Sequence, residues 1–186
     1  MRVINIINKS LEHKGKKMNH RRGYFFISEA GKTPYEIFRS MNKKCISPRM
    51  QRVFDNGNDV HDRIREYLRK QGVIRGIEVK IKTKLLHGRA DAIIYSDGKI
   101  AVLEIKSINK DRFEKLKKYG TRKAYLQTQL YMHFLKINNG TILFECKNDQ
   151  RLKEFNINRK PRVAKEQIEY FSRLKNKFVK CEVMAE

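Results

Sequence analysis

The sequence predicts an α/β fold, a mixed central β-sheet flanked by helices, and three observations carry that prediction. Apolar residues recur at three- and four-residue spacing up to Gly72, then alternate at a spacing of two, and return to helical spacing past Ile108. Asp97-Gly98 separates two apolar runs and is a strong hairpin signal. The strand-like run "TILFEC" stands between two long helical patterns, so helices are expected on both faces of a mixed sheet.

The elements follow in order. In "KTPYEIF", Thr33 is an N-cap, Pro34 takes the first helical position, and Glu36 completes a capping box. The "GKT" there is no P-loop, because Phe26 stands where a glycine is required. Ser47-Pro48 opens a longer helix that runs to about Gln71. Met50, Phe54, Gly57, His61, Ile64 and Leu68 share one of its faces, which turns His61 inward beside a glycine. "GIEVKIKTK" sets Ile77, Val79 and Ile81 against Glu78, Lys80 and Lys82 and reads as a strand. "ADAIIY" and "KIAVLEIKS" are the two strands of the hairpin, and "NKDRFEKLKKYG" adds basic helical turns. A helix over "TRKAYLQTQLYMHFLKI" is expected to end at Asn138-Asn139-Gly140. "VAKEQIEYFSRLKNKFVK" is a closing basic helix, and the predicted order is α, α, β, β, β, α, β, α.

All 186 residues read as one domain, long enough to bury a core. The basic, glycine-punctuated stretch "KGKKMNHRRG", residues 14–23, is expected to be mobile or to fold against substrate. Hydrophobic residues at 40% and charged residues at 34% exclude a disordered chain. No window has the apolar length of a membrane span, and the first residues lack a signal-peptide core, so no membrane partner is expected. Cys45, Cys146 and Cys181 form no CxxC pair and no disulfide framework, which predicts an intracellular, cytoplasmic protein. Lys and Arg total 43 against 20 acidic residues, a net charge of +23. A surplus of that size points to a polyanionic partner, and nucleic acid is the commonest.

The stretch "GRADAIIYSDGKIAVLEIK" puts charges into an apolar setting. In its second strand, Glu104 and Lys106 share a face and interrupt an otherwise buried run. Counted outward from the Asp97-Gly98 turn, Asp91 comes level with Glu104, so the three side chains can converge. Two adjacent carboxylates attract a hard divalent cation, which relieves their repulsion. With a lysine to orient water and offset charge on phosphate, the set suits phosphodiester hydrolysis. The same residues also suit a strand-end ion cluster, Asp91 with Arg89 and Glu104 with Lys106.

Four motifs together resemble the PD-(D/E)XK nuclease superfamily, in the branch of RecB-type nuclease domains and CRISPR adaptation nucleases. They are "GNDVHDRI" with His61, "GRADAII" with Asp91, "LEIKS" with Glu104 and Lys106, and "QTQLY" with Gln127 and Tyr131. They span residues 57 to 131 in the order of that family. The resemblance implies a restriction-endonuclease-like αβββαβ core and a Mg²⁺ or Mn²⁺ cofactor. It implies His61, Asp91, Glu104 and the backbone carbonyl of Ile105 as metal ligands, with Asp91, Glu104 and Lys106 as the catalytic set. Gln127 and Tyr131 would line the site and touch the DNA backbone.

Many relatives of that kind carry an iron–sulfur cluster on four cysteines; this chain lacks the set, so no iron–sulfur cluster is expected. Ser28 and Glu29 lie near the family's first helix without an assigned role, and His13, His20, His87 and His133 fit no motif and read as surface or packing residues. The basic run from Lys110 to Lys123, including Arg122 and Lys123, is read as phosphate contacts, as are Arg173, Lys175, Lys177 and Lys180. Arg21 and Arg22 are read as closing over the strand. The expected function is a metal-dependent DNA nuclease acting in recombination, repair or phage DNA processing, with exonuclease action favoured. The alternatives are a structure-selective endonuclease and a non-catalytic nucleic-acid-binding module. Beside DNA, the protein partner is left open between a second copy of the chain and a recombination or replication protein.

Overall fold

The computed structural model describes residues 2–12, 23–41 and 46–183, with side chains described for 2–11, 23–41 and 46–177. Residues 14–22 of the basic segment, together with His13 and Cys45, lie outside the described residues. Helix α1 (Val3–Glu12) comes first, then the two-residue strand β1 (Phe25–Phe26), a 3-10 turn (Ile27–Glu29) and α2 (Pro34–Met41). The long helix α3 (Pro48–Lys70) leads into β2 (Ile74–Lys82), β3 (Leu86–Ser96) and β4 (Lys99–Ile108). A short α4 (Lys110–Glu114) and α5 (Arg122–Leu135) precede β5 (Asn139–Cys146), β6 (Leu152–Asn158) and α6 (Pro161–Val183). Among the described residues, no helix is long and apolar enough to cross a membrane.

The helix starts follow from their caps. Thr33 and Glu36 form the expected box, with Thr33 Oγ1 accepting from the Glu36 amide at 3.2 Å and Glu36 Oε2 accepting from the Thr33 amide at 2.8 Å. Ser47 Oγ accepts from the Met50 amide and Thr121 Oγ1 from the Ala124 amide, each satisfying a donor that the first turn leaves open.

The six strands form one mixed sheet in the order β1-β3-β4-β5-β6, with β2 on β3. β2–β3, β3–β4 and β5–β6 are antiparallel, while β1–β3 and β4–β5 are parallel. One face carries the larger core, where Leu130 and Met132 of α5 and Phe171 of α6 meet Val102, Ile142 and Phe144. The other face buries Val60 and Ile64 of α3 against Ala92, Leu103 and Ile105. The architecture is the predicted one, a mixed sheet between helical layers.

The sheet also forks. The β3–β4 ladder runs from Ser96–Lys99 to Ala92–Leu103 and stops there. Beyond it β3 pairs with β1 through Leu86 and His87, while β4 continues beside β5 to Ile108. Asp91 and Glu104 are the first residues past the divergence, where a strand pair gives way to a cleft.

Three expectations are corrected. The α5 helix ends at Leu135 rather than at Asn138-Asn139-Gly140, with Lys136 at φ 56°, and Asn139 and Gly140 open strand β5. Gly140 is needed for room, since a Cβ there would stand 2.8 Å from Met132 Sδ. Phe54 does not face a core: it is 45% exposed, and the α3 side chains buried against the sheet are the later Val60 and Ile64, while Arg52 reaches Asn8 of α1. Elements α1, β1 and β6 extend the predicted order.

Candidate active site

The site is built at the fork, where unpaired β-backbone needs other partners. Asp91 Oδ2 accepts from the Ile105 amide at 2.7 Å, replacing the ladder bond that the divergence removes. Asp91 Oδ1 lies 3.2 Å from His61 Nδ1, which α3 presents one turn before Arg65. Burial pushes the Asp91 carboxyl up, but the His61 contact, the Ile105 amide and the charge of Lys106 outweigh it and hold the group below the usual carboxylate range.

Glu104 is 1% exposed. Its Oε1 accepts from Lys106 Nζ at 2.5 Å. Its Oε2 is buried without a hydrogen-bond partner among the described residues. Burial above all, with the neighbouring Asp91 adding to it against the pull of Lys106, pushes the Glu104 carboxyl from 4.5 up to about 7. Burial alone would lower Lys106, yet Glu104 and Asp91 outweigh it and keep the amine above the ordinary lysine value. Lys106 is therefore an ammonium ion.

Lys106 Nζ also donates to Gln127 Oε1 at 3.1 Å, and Gln127 Nε2 donates to the Tyr131 hydroxyl at 3.2 Å. The four-residue spacing on α5 stacks the two side chains on one face. Gln127 and Tyr131 are 7% and 2% exposed, so they form the floor of the site and hold Lys106. Burial raises the Tyr131 hydroxyl above its ordinary pKa, which keeps it a neutral hydrogen-bonding group.

These side chains line a cavity of about 530 Å³. Thus His61, Asp91, Glu104, Lys106, Gln127 and Tyr131 are brought together around one cavity. Ile105 enters through its amide, with its side chain buried under α3. Arg122 and Lys123 stand apart: neither lines the cavity, and Lys123 pairs with Glu36 at 3.0 Å. The Glu104–Lys106 ion pair expected of a strand-end cluster is present, whereas Asp91 takes His61 and Arg89 takes Glu78.

Sequence reasoning missed part of the wall. Arg65, Glu78, Arg89, Lys80 and Lys82 all face the cavity. Arg65, four residues after His61 on α3, was legible from helical spacing; Glu78 keeps the polar face it shares with Lys80 and Lys82 in the strand alternation, but does so at φ 55°. Such a conformation costs a non-glycine residue about 1–3 kcal/mol. His87 also lines the cavity and stacks on Tyr24 at 3.6 Å. Ser28 is at the rim, while the buried Glu29 has a structural role, accepting from the Phe26 amide and the Ser40 hydroxyl at 2.9 Å each.

Among the described residues, no group of three His, Cys, Asp or Glu side chains is gathered as a ready-made metal cage. The donors nevertheless fit a hard divalent cation in kind. Glu104 Oε2 is a buried carboxyl oxygen with no partner among the described residues, and Asp91 beside it is held ionised.

No protein-family model matches the chain, and no curated protein does. Solved structures do. The alkaline exonuclease LHK-Exo from Laribacter hongkongensis superposes with a TM-score of 0.60 at 16% identity, covering 88% of this chain and 93% of that one. The same enzyme in complex with dAMP gives 0.59 at 17% identity over the same shares. The crystal structure of SSO0001 gives 0.58 at 17% identity, covering 90% of this chain and 86% of that one. At these identities the likeness is one of fold.

Proposed function

We propose that the chain is a divalent-metal-dependent DNA nuclease, and within that class an exonuclease acting on DNA ends. The observation that carries the reading is the unpartnered, buried Glu104 Oε2 beside an ionised Asp91, in a cleft also lined by Arg65, Lys80, Lys82 and Arg89. A retired site has no physical need to keep a buried carboxylate oxygen without a donor. The fold shared with an alkaline exonuclease, one also crystallised with dAMP, supports the reading.

Asp91 and Glu104 would hold the Mg²⁺ or Mn²⁺, with His61 and the backbone of Ile105 completing the set. The ion supplies Lewis acidity that lowers the pKa of water and offsets phosphate charge. The chain's own residues do the rest. Glu104, once ionised, holds Lys106 as the ammonium ion, and Lys106 donates to the attacking water or to the phosphate oxygen on which charge grows. Gln127 keeps the amine aimed, since its other end is tied to Tyr131. Water then adds at phosphorus and gives up a proton to solvent as the bond to the 3′ oxygen breaks and that oxygen takes a proton from solvent, leaving a 5′-phosphate and a 3′-hydroxyl. Recombination, repair or phage DNA processing would use such an enzyme.

End-labelled linear DNA and covalently closed circles, incubated with the protein and Mg²⁺, test the assignment. Degradation of linear DNA alone is expected. Cutting of circles would move the reading to a structure-selective endonuclease, and binding without cutting would leave only a nucleic-acid-binding module.

A further inference from the structure

The wall of the cleft carries an ion cluster that the proposed reaction does not use. Glu78 lies in β2 between the pairs Ile77–Ala92 and Val79–Ala90, and so opposite Asp91. Its φ of 55° puts it in the left-handed region, unusual for a glutamate inside a strand. Turned this way, its carboxylate sits between two guanidinium groups. Oε1 accepts from Arg65 at 2.6 Å, and Oε2 pairs with Arg89 at 2.5 Å. Arg65 is 7% exposed and is anchored from its other side by Asp62 at 2.7 Å. Arg65, Glu78 and Arg89 line both the catalytic cavity and a second cavity of about 760 Å³ beside it. They form the wall that the two cavities share.

Guanidinium forks recognise carboxylate and phosphate oxygens through the same hydrogen bonds. We propose that Arg65 and Arg89 are a phosphate-binding subsite for the substrate strand, and that Glu78 occupies it in the substrate-free chain. The proposal rests on the nucleic-acid reading above. A phosphate group displaces the Glu78 carboxylate, Asp62 keeps Arg65 in place, and the strand is set in register with Asp91. The phosphate is either the terminal one of a DNA end or an internal phosphodiester.

The test is equilibrium binding of dye-labelled oligonucleotides in metal-free buffer across a salt series. Three versions of one DNA are used: 5′-phosphorylated, 3′-phosphorylated and unphosphorylated. Glu78→Gln and Glu78→Asn remove the competing charge, and asparagine also tolerates the left-handed conformation. Glu66→Gln, which removes an exposed carboxylate beside the second cavity, controls for charge alone. Both Glu78 variants are expected to bind about tenfold more tightly, with a salt slope steeper by about one to two phosphates, while Glu66→Gln changes little. Equal tightening for all three DNAs supports an internal phosphodiester; tightening confined to phosphorylated ends supports a terminal phosphate. Glu78 variants that bind no better than Glu66→Gln overturn the subsite and leave the nuclease reading standing. A wild-type chain that binds none of the DNAs overturns both.

Discussion

Asp91 reaches across the fork in the sheet to accept the Ile105 amide at 2.7 Å, closing with its side chain a ladder that the backbone leaves open. The same carboxylate therefore shapes the cleft and faces it. Asp91→Asn keeps an acceptor for the amide but loses the charge. DNA turnover is expected to fall by about 10³-fold, with the melting temperature nearly unchanged. Single-turnover cleavage beside thermal unfolding checks this, and a fall in stability matching the fall in rate would assign Asp91 to structure alone.

Lys106 depends on Gln127 for its aim. Gln127→Leu removes the acceptor at 3.1 Å and leaves the Tyr131 hydroxyl with one partner fewer. We expect kcat to drop about 10–100-fold with KM for DNA unchanged, because a supporting residue acts on the group it orients. Gln127→Glu retains an acceptor and is expected to recover most of that loss. A change confined to KM would instead make Gln127 a substrate contact.

The metal-free protein should lose stability as the pH rises from about 4.5 to about 7. Unfolded, the Glu104 carboxyl releases its proton near 4.5; folded, it holds it to about 7. Between these values the native state carries the extra proton, so each rise in pH favours unfolding. Asp91 acts with the opposite sign lower down. Its folded pKa lies below 3.8, so its contribution is complete above 3.8 and is lost as the pH falls through the folded value. Urea denaturation at pH 5, 6 and 7 should show the upper window in the wild type and not in Glu104→Gln. Added Mg²⁺ should offset the loss at pH 7. A flat wild-type profile contradicts the assignment.

Gly88 is a test of how tightly the cleft is built. A Cβ there would stand 2.8 Å from Ile27 Cδ1 and 2.9 Å from Tyr131 Cε1. Both neighbours are buried and cannot withdraw freely. Gly88→Ala is expected to cost about 1–3 kcal/mol in chemical denaturation and to lower turnover by displacing Tyr131.

The part of the site that was legible in the sequence is the part that obeys simple periodicity. The hairpin turn at Asp97-Gly98 sets the register, and counting outward from it brings Asp91 level with Glu104, just past the observed Ala92–Leu103 pair. Four-residue spacing put Gln127 under Tyr131, and an inward face put His61 on the cleft. Strand β6 escaped because only Lys153, Phe155 and Ile157 turn inward; the first of these uses its amine on the Phe113 carbonyl, so little apolar signal remains. Helix α1 escaped because its apolar Val3, Ile4, Ile6 and Ile7 are largely exposed. The alternation put Glu78 on the polar face with Lys80 and Lys82, and all three line the cavity; the left-handed φ of Glu78 and its two guanidinium partners leave no mark in the sequence pattern.

The central claim is that Asp91 and Glu104 hold a divalent ion for phosphodiester hydrolysis. DNA degradation by the wild type beside Glu104→Ala, with Mg²⁺ and with chelator, tests it most directly. The account predicts cutting by the wild type with Mg²⁺ only and none by Glu104→Ala, while both proteins still bind DNA. Equal activity in the two proteins, or cutting that survives the chelator, would contradict it.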